Sequence, residues 1–178
     1  MTKKSAKPKH RLILLRHAKS AWPDGVADRE RPLADRGRKA APVIGAYMAR
    51  EKLIPDLALV SPARRAQETW KHVREALSKK VAERDAPDIY EVAAERILDV
   101  IRTVEPGIRT LLIVGHNPGM EDAASLLVGD GDADAMGRMK EKFPTAGLAV
   151  IDFDVEGWDE VAKRSGYLKW FVTPRFVG

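Results

Sequence analysis

The chain has 178 residues, no cysteine and a net charge of +5. It can therefore hold no disulfide framework, thiolate nucleophile or cysteine-based zinc site, and no apolar run is long enough to span a bilayer. Lys3, Lys4, Lys7, Lys9 and Arg11 account for the whole excess charge; the remaining 26 basic and 26 acidic residues balance, which argues against a broad nucleic-acid-binding face.

Residues 1–10 (MTKKSAKPKH) read as a basic, disordered tail that includes His10, and residues 11–178 as one domain. The apolar run after the tail is too short for a signal peptide, so a cytoplasmic location is expected. The first strand is predicted at Arg11–Arg16, a nearly continuous apolar run of the kind buried on both faces of a sheet. A polar, turn-rich loop, Ala21–Pro32, comes next. A helix is predicted from about Asp35 to Leu53, with Pro42 awkward inside it. A second strand is predicted at Asp56–Val60, and Ser61-Pro62 then supplies a capping serine with proline in the first turn. Ala66, Trp70, Val73 and Leu77 give the next helix its apolar stripe.

Farther along, Val81–Glu83 is a candidate edge strand, and Glu91 to Val104 a third helix. Thr110–Val114 is another buried strand, and Asn117-Pro118 repeats the cap-plus-proline signal before a fourth helix. Gly129–Phe143 reads as a polar loop whose later part forms a short helix; its Asp130–Asp134 stretch lacks a complete calcium-loop pattern and reads as a solvated turn. Leu148–Phe153 and Tyr167–Val172 complete the strands, the latter with aromatic residues assigned to packing. This alternation predicts a three-layer α/β/α sandwich with a mostly parallel central sheet.

Three motifs fall just beyond predicted strands: Arg16-His17, Ser61–Ala66 with Arg64 and Arg65, and Gly115–Gly119 with His116 and Asn117. In open α/β sheets the C-terminal strand ends gather at the ligand site, so two histidines and two or three arginines converge on one rim. Guanidinium groups select a phosphate-like oxyanion. A neutral imidazole among them can attack phosphorus while the cations stabilise the transferring group. Arg64 lies four residues before Glu68 and can pair with it in solvent, whereas Arg65 adjoins the apolar stripe; Arg65 is therefore assigned to the pocket. Histidines this far apart beside arginines do not form a metal-site pattern, so no metal and no cofactor is expected.

The segment Leu14–Ser20, with Arg16-His17, resembles the Arg-His signature of the histidine phosphatase superfamily, with Ala18 where many members have glycine. Arg31-Pro32-Leu33 with Arg36-Gly37, Ser61-Pro62 with Arg65-Ala66, and Gly115-His116-Asn117-Pro118 come in that family's order. The pattern is most similar to the SixA-type phosphohistidine phosphatases, and the absence of a long insertion separates it from the phosphoglycerate mutases. The resemblance implies a phosphoglycerate mutase-like fold and a phosphohistidine intermediate on His17. It implies that Arg16, Arg65 and His116 hold the phosphoryl oxygens, helped by the Asn117 backbone N–H. Glu91 is the positional candidate for proton donor, with Asp24, Asp28 and Glu121 as alternatives. The expected substrate is a phosphorylated protein, such as a histidine phosphotransfer domain; a small phosphate ester is the alternative, and a non-catalytic phosphate-binding adaptor a third reading.

Overall fold

Leu12, Ile13, Leu14 and Leu15 are all buried because the strand that carries them has helices on both faces. The computed structural model describes residues 7–177. Strand β1 (His10–Arg16) lies at the centre of a seven-stranded sheet with β2 (Leu57–Val60), β3 (Ala82–Asp85), β4 (Thr110–Gly115), β5 (Val128–Gly131), β6 (Leu148–Phe153) and β7 (Gly166–Val172). The order is β3-β2-β4-β1-β6-β7-β5. Pairings are parallel throughout except β1 with β6 and β6 with β7, so β6 alone runs against the rest.

Successive side chains of a strand alternate between faces. Leu12 and Leu14 join Leu111, Ile113 and Ile151 in a core covered by α3 (Ala94–Arg102), α4 (Gly119–Leu127) and α5 (Ala133–Glu141). Ile13 and Leu15 join Leu112, Val114 and Val150 beneath α1 (Asp35–Arg50), α2 (Arg64–Arg74) and the terminal α6 (Pro174–Val177). The expected three-layer sandwich with a mostly parallel sheet is thus present.

Several local expectations need correction. His10 belongs to β1 rather than to a tail: it is buried, and its two ring nitrogens lie 3.0 Å from the carbonyls of Val155 and Pro106. The rest of the tail reading, residues 1–6, falls outside the described residues. Neither Ser61 nor Asn117 is the N-cap of the helix after it. That helix is α2 or α4 respectively, and its N-cap is Ala63 or Pro118, without a side-chain cap bond. Helix α3 begins at Ala94, because Pro87–Ile89 forms a 3-10 turn and Glu91 sits at φ 51°, a left-handed conformation that interrupts a helix. The stretch read as a solvated acidic turn contains part of β5, and Asp132 caps α5 by accepting from the Ala135 N–H at 2.9 Å. Helix α1 starts at Asp35 as expected and runs through Pro42.

Candidate active site

The parallel strands β1, β2 and β4 end side by side, and the segment beyond each strand end carries one part of a cationic cluster. Arg16 and Gly115 are register partners at the ends of β1 and β4, so His17 and His116 emerge as neighbours. Their ring centroids are 5.2 Å apart. Arg65, in the first turn of α2, is 4% exposed, whereas Arg64 is solvent-facing and donates to Glu68 at 2.7 Å. Thr69 fastens α2 to the end of β1: its hydroxyl donates to the Arg65 carbonyl at 2.7 Å and accepts from the Ala18 N–H at 2.9 Å.

The His17 ring has a defined tautomer. Its Nδ1 lies 2.7 Å from the Ala18 carbonyl, which can only accept, so Nδ1 carries the proton. Nε2 is left with its lone pair and has no hydrogen-bond partner among the described residues. Burial pushes the His17 pKa down to about 3; the Ala18 carbonyl opposes this, and His116, Arg65 and Arg16 reinforce it. Burial likewise takes His116 to about 4, with Arg65 adding to the fall and Asp28 resisting it. Both imidazoles are therefore neutral at physiological pH. His116 Nε2 is 2.6 Å from the Ser61 hydroxyl. Its Nδ1 is buried without a partner among the described residues, as are Nε of Arg16 and Nε of Arg65. Three buried groups with unmet hydrogen-bonding capacity around one imidazole fit an oxyanion that the protein itself does not supply.

A bracket from the β6 side holds the cluster from behind. Arg16 donates to the Phe143 carbonyl at 3.1 Å, and the Asn117 side-chain amide donates to the same carbonyl at 2.9 Å. The buried Ala146, at φ 60°, donates its N–H to the carbonyls of both Arg16 and His17 at 3.0 Å.

The Ala21–Pro32 loop borders the site. Its 3-10 turn, Asp28–Glu30, places Asp28 against Arg65, which donates to the Asp28 carbonyl at 2.7 Å and to its carboxylate at 3.0 Å. Tyr90 donates to the same carboxylate at 2.5 Å and stands edge-on to His116, with centroids 5.4 Å apart. Arg31 reaches the other carboxylate oxygen at 3.1 Å, and the exposed Trp22 ring lies 3.5 Å from its guanidinium carbon. The Tyr90 hydroxyl first, with Arg65 and Arg31, holds the Asp28 carboxyl down at about 2 against the opposing effect of burial.

Arg16, His17, Arg65, His116 and Asn117 thus come together as the motifs suggest. Glu91 does not join them: it is exposed and makes no hydrogen bond to the cluster. Its neighbour Tyr90 faces the site instead. The site also holds Ser61, Thr69 and Tyr90, which the motifs do not mark as functional. Ser61 carries a signal, Ser-Pro after a strand, but one that reads equally as a helix cap; Tyr90 is placed by the turn at Pro87–Ile89, which has no such signature. A separate cavity of about 270 Å³ lies at the β2–β3 edge. Its arginines are already paired, Arg84 with Glu105 and Arg96 with Asp88, so it offers an anion little. Among the described residues no three potential metal ligands gather.

Known proteins share the sequence pattern and the fold of this chain. The sequence model of the histidine phosphatase superfamily (branch 1) matches residues 12–86, which include Arg16, His17 and Arg65. An uncharacterized protein of Mycobacterium tuberculosis is 38% identical over 164 residues, covering 90% of this chain and all of the relative. A crystal structure provisionally described as the phosphohistidine phosphatase SixA from Agrobacterium tumefaciens superposes with a TM-score of 0.73 at 32% identity, over 83% of this chain and 94% of that one. A second structure provisionally described as SixA, from Nakamurella multipartitia, has a TM-score of 0.79 at 23% identity over 93% and 96% of the two chains, a likeness of fold. The sequence match and the 32% identical structure lead to the same place: this chain belongs to the histidine phosphatase superfamily.

Proposed function

We propose that the protein is a metal-independent phosphatase that passes a phosphoryl group through His17 to water, and that its substrate is a phosphohistidine on a partner protein. The observation that carries this reading is the state of His17: Nδ1–H pinned to Ala18, Nε2 unprotonated, Arg16, Arg65 and His116 around it. In the first step the Nε2–phosphorus bond forms as the bond to the leaving atom breaks. In the second, water takes the phosphoryl group and Nε2 is freed as inorganic phosphate leaves. The arginines and His116 balance the charge on the equatorial oxygens in both steps.

The acids around the site bear on the substrate class. Asp28 is ionised and fully engaged, Glu91 is exposed outside the cluster, and Glu121 is turned to Asn117. A site whose carboxyl groups are engaged elsewhere or lie outside it favours a leaving group that departs with little help. A phosphorylated imidazole, as on a histidine phosphotransfer domain, has that property, and an alkyl phosphate does not. The reducing compartment that a cysteine-free chain suits would be the cytoplasm.

Incubation with a phosphohistidine protein and rapid acid-free quenching should leave phosphate on His17, mapped by mass spectrometry, with chelator making no difference to the rate. Phosphate on another residue, or none during turnover, would refute the mechanism. Faster turnover of a sugar or nucleotide phosphate than of any phosphohistidine protein would make the enzyme a small-molecule phosphomonoesterase instead. Stoichiometric phosphate binding without turnover of any substrate would make it an adaptor.

A further inference from the structure

Asp28 stands where a proton donor is sought, on a loop beside the phosphoryl pocket. Its bonds are those of a different device. One carboxylate oxygen accepts from Arg65 at 3.0 Å and from Tyr90 at 2.5 Å; the other accepts from Arg31 at 3.1 Å. Its backbone carbonyl takes a second Arg65 N–H at 2.7 Å. Donors from three separate parts of the chain, the first turn of α2, the turn after β3 and the end of the loop itself, converge on this one residue. Every one of these bonds delivers a proton toward Asp28, and none carries one from it.

We propose that Asp28 is a positioning residue: an anionic clasp that orients the Arg65 guanidinium and the Tyr90 ring toward the phosphoryl site, and that donates no proton to the leaving group. This rests on the phosphatase reading of His17. The geometry explains how the clasp works. Arg65 spends two of its five N–H groups on Asp28, which fixes the plane of the guanidinium and leaves three, including the buried Nε–H, which has no partner among the described residues. A guanidinium held in one plane meets a phosphoryl oxygen without first losing rotamer freedom. Tyr90, anchored through its hydroxyl, keeps its ring edge-on to His116 at 5.4 Å and so supports the second imidazole alongside Ser61's hydrogen bond. Because Arg31 shares the carboxylate and stacks against Trp22, the loop border is locked into the same network.

The test separates positioning from proton donation by varying the leaving group. Asp28→Asn, Asp28→Glu and Tyr90→Phe are compared with the unaltered protein on nitrophenyl, phenyl and alkyl phosphates, with orthovanadate affinity measured by calorimetry and folding by circular dichroism. Asp28→Asn should lower kcat/KM by about 10–100-fold, the scale of a small misplacement of a catalytic group. The factor should be the same for every leaving group, with a parallel loss of vanadate affinity. Tyr90→Phe should show a smaller loss of the same pattern, and Asp28→Glu should recover part of what Asn loses. A loss that grows with leaving-group basicity and vanishes for nitrophenyl phosphate would overturn the proposal, since that is the behaviour of a missing acid. Variants equal to the parent in both turnover and vanadate affinity would overturn it too. Should Asp28→Asn fail to fold, Tyr90→Phe and Asp28→Glu decide the question by the same criteria. If the unaltered protein turns over no phosphate ester or phosphohistidine, the phosphatase reading fails, while relative vanadate affinities still decide the role of Asp28.

Discussion

A histidine can attack phosphorus only when neutral, and this site keeps it neutral by burial among guanidinium groups. The same desolvation links the two imidazoles to stability. Their ordinary pKa is 6.5; in the folded protein His17 falls to about 3 and His116 to about 4. Between those values the unfolded chain binds protons that the folded one refuses, so their contribution is complete above pH 6.5 and is lost as pH falls toward 4 and then 3. Melting temperature measured against pH should therefore fall below 6.5, and the fall should be shallower in His17→Ala and His116→Ala. Ser61 offers a second prediction at this scale. Removing its hydroxyl strips His116 Nε2 of its one partner, at 2.6 Å, in a buried setting. Ser61→Ala should cost about 1–3 kcal/mol of folding stability by leaving that nitrogen unmet. It should also lower kcat, because the ring loses its orientation; denaturant titration and turnover check the two effects. Arg65→Lys should impair turnover strongly, since an ammonium group cannot both grip Asp28 twice and present a planar edge to phosphate.

At the scale of elements, close backbone packing places His17 as much as side-chain contacts do. Gly37, in the first turn of α1, lies so near the Lys19 carbonyl that an added Cβ would come within 2.1 Å of that oxygen. Gly37→Ala should therefore force α1 away from the segment after His17. It should cost about 1–3 kcal/mol, the usual range for overpacking, and kcat should fall with stability; thermal melts and kinetics on the same sample would show whether both move. The same elements show how far the sequence is legible. Strands β1, β4 and β6 can be read because burial on both faces demands unbroken apolar runs such as Leu12–Leu15. Arg64 and Arg65 can be told apart because helical spacing puts Glu68 beside the former. Strand β5 is hidden because Val128-Gly-Asp-Gly has neither an apolar run nor alternation; it pairs only with β7 at the sheet edge. Ser61 and Asn117 mislead for one reason. A short polar side chain beside a helix start serves equally well as a cap or as a tether, and here tertiary partners engage both: His116 for Ser61, and the Phe143 carbonyl for the Asn117 amide, whose oxygen also accepts from the Glu121 N–H of the first turn of α4.

Across the whole molecule, β1 joins two histidines that do opposite work. His10 enters the strand at one end, and His17 lies just past the other, about 20 Å away for a strand of this length. His10 is 1% exposed, lies edge-on to Trp158 at 5.0 Å, and meets the carbonyls of Val155 and Pro106. It thereby ties the start of the central strand to the segments after α3 and β6. Its removal takes away the ring's N–H donation to these carbonyls and opens a void beside Trp158, and each loss acts on stability alone. Among the described residues the His17 ring makes one hydrogen bond, to the carbonyl of its own neighbour, and it faces the arginines and imidazole that an anion would join. The two substitutions should therefore dissociate. His10→Ala should lower the melting temperature clearly while the remaining folded enzyme keeps its kcat, measured well below the transition. His17→Ala should abolish turnover and phosphoenzyme formation with little change in melting temperature. If instead His10→Ala lowered kcat as much as stability, the two ends of β1 would be mechanically coupled, and the separation of scaffold from site along this strand would be wrong.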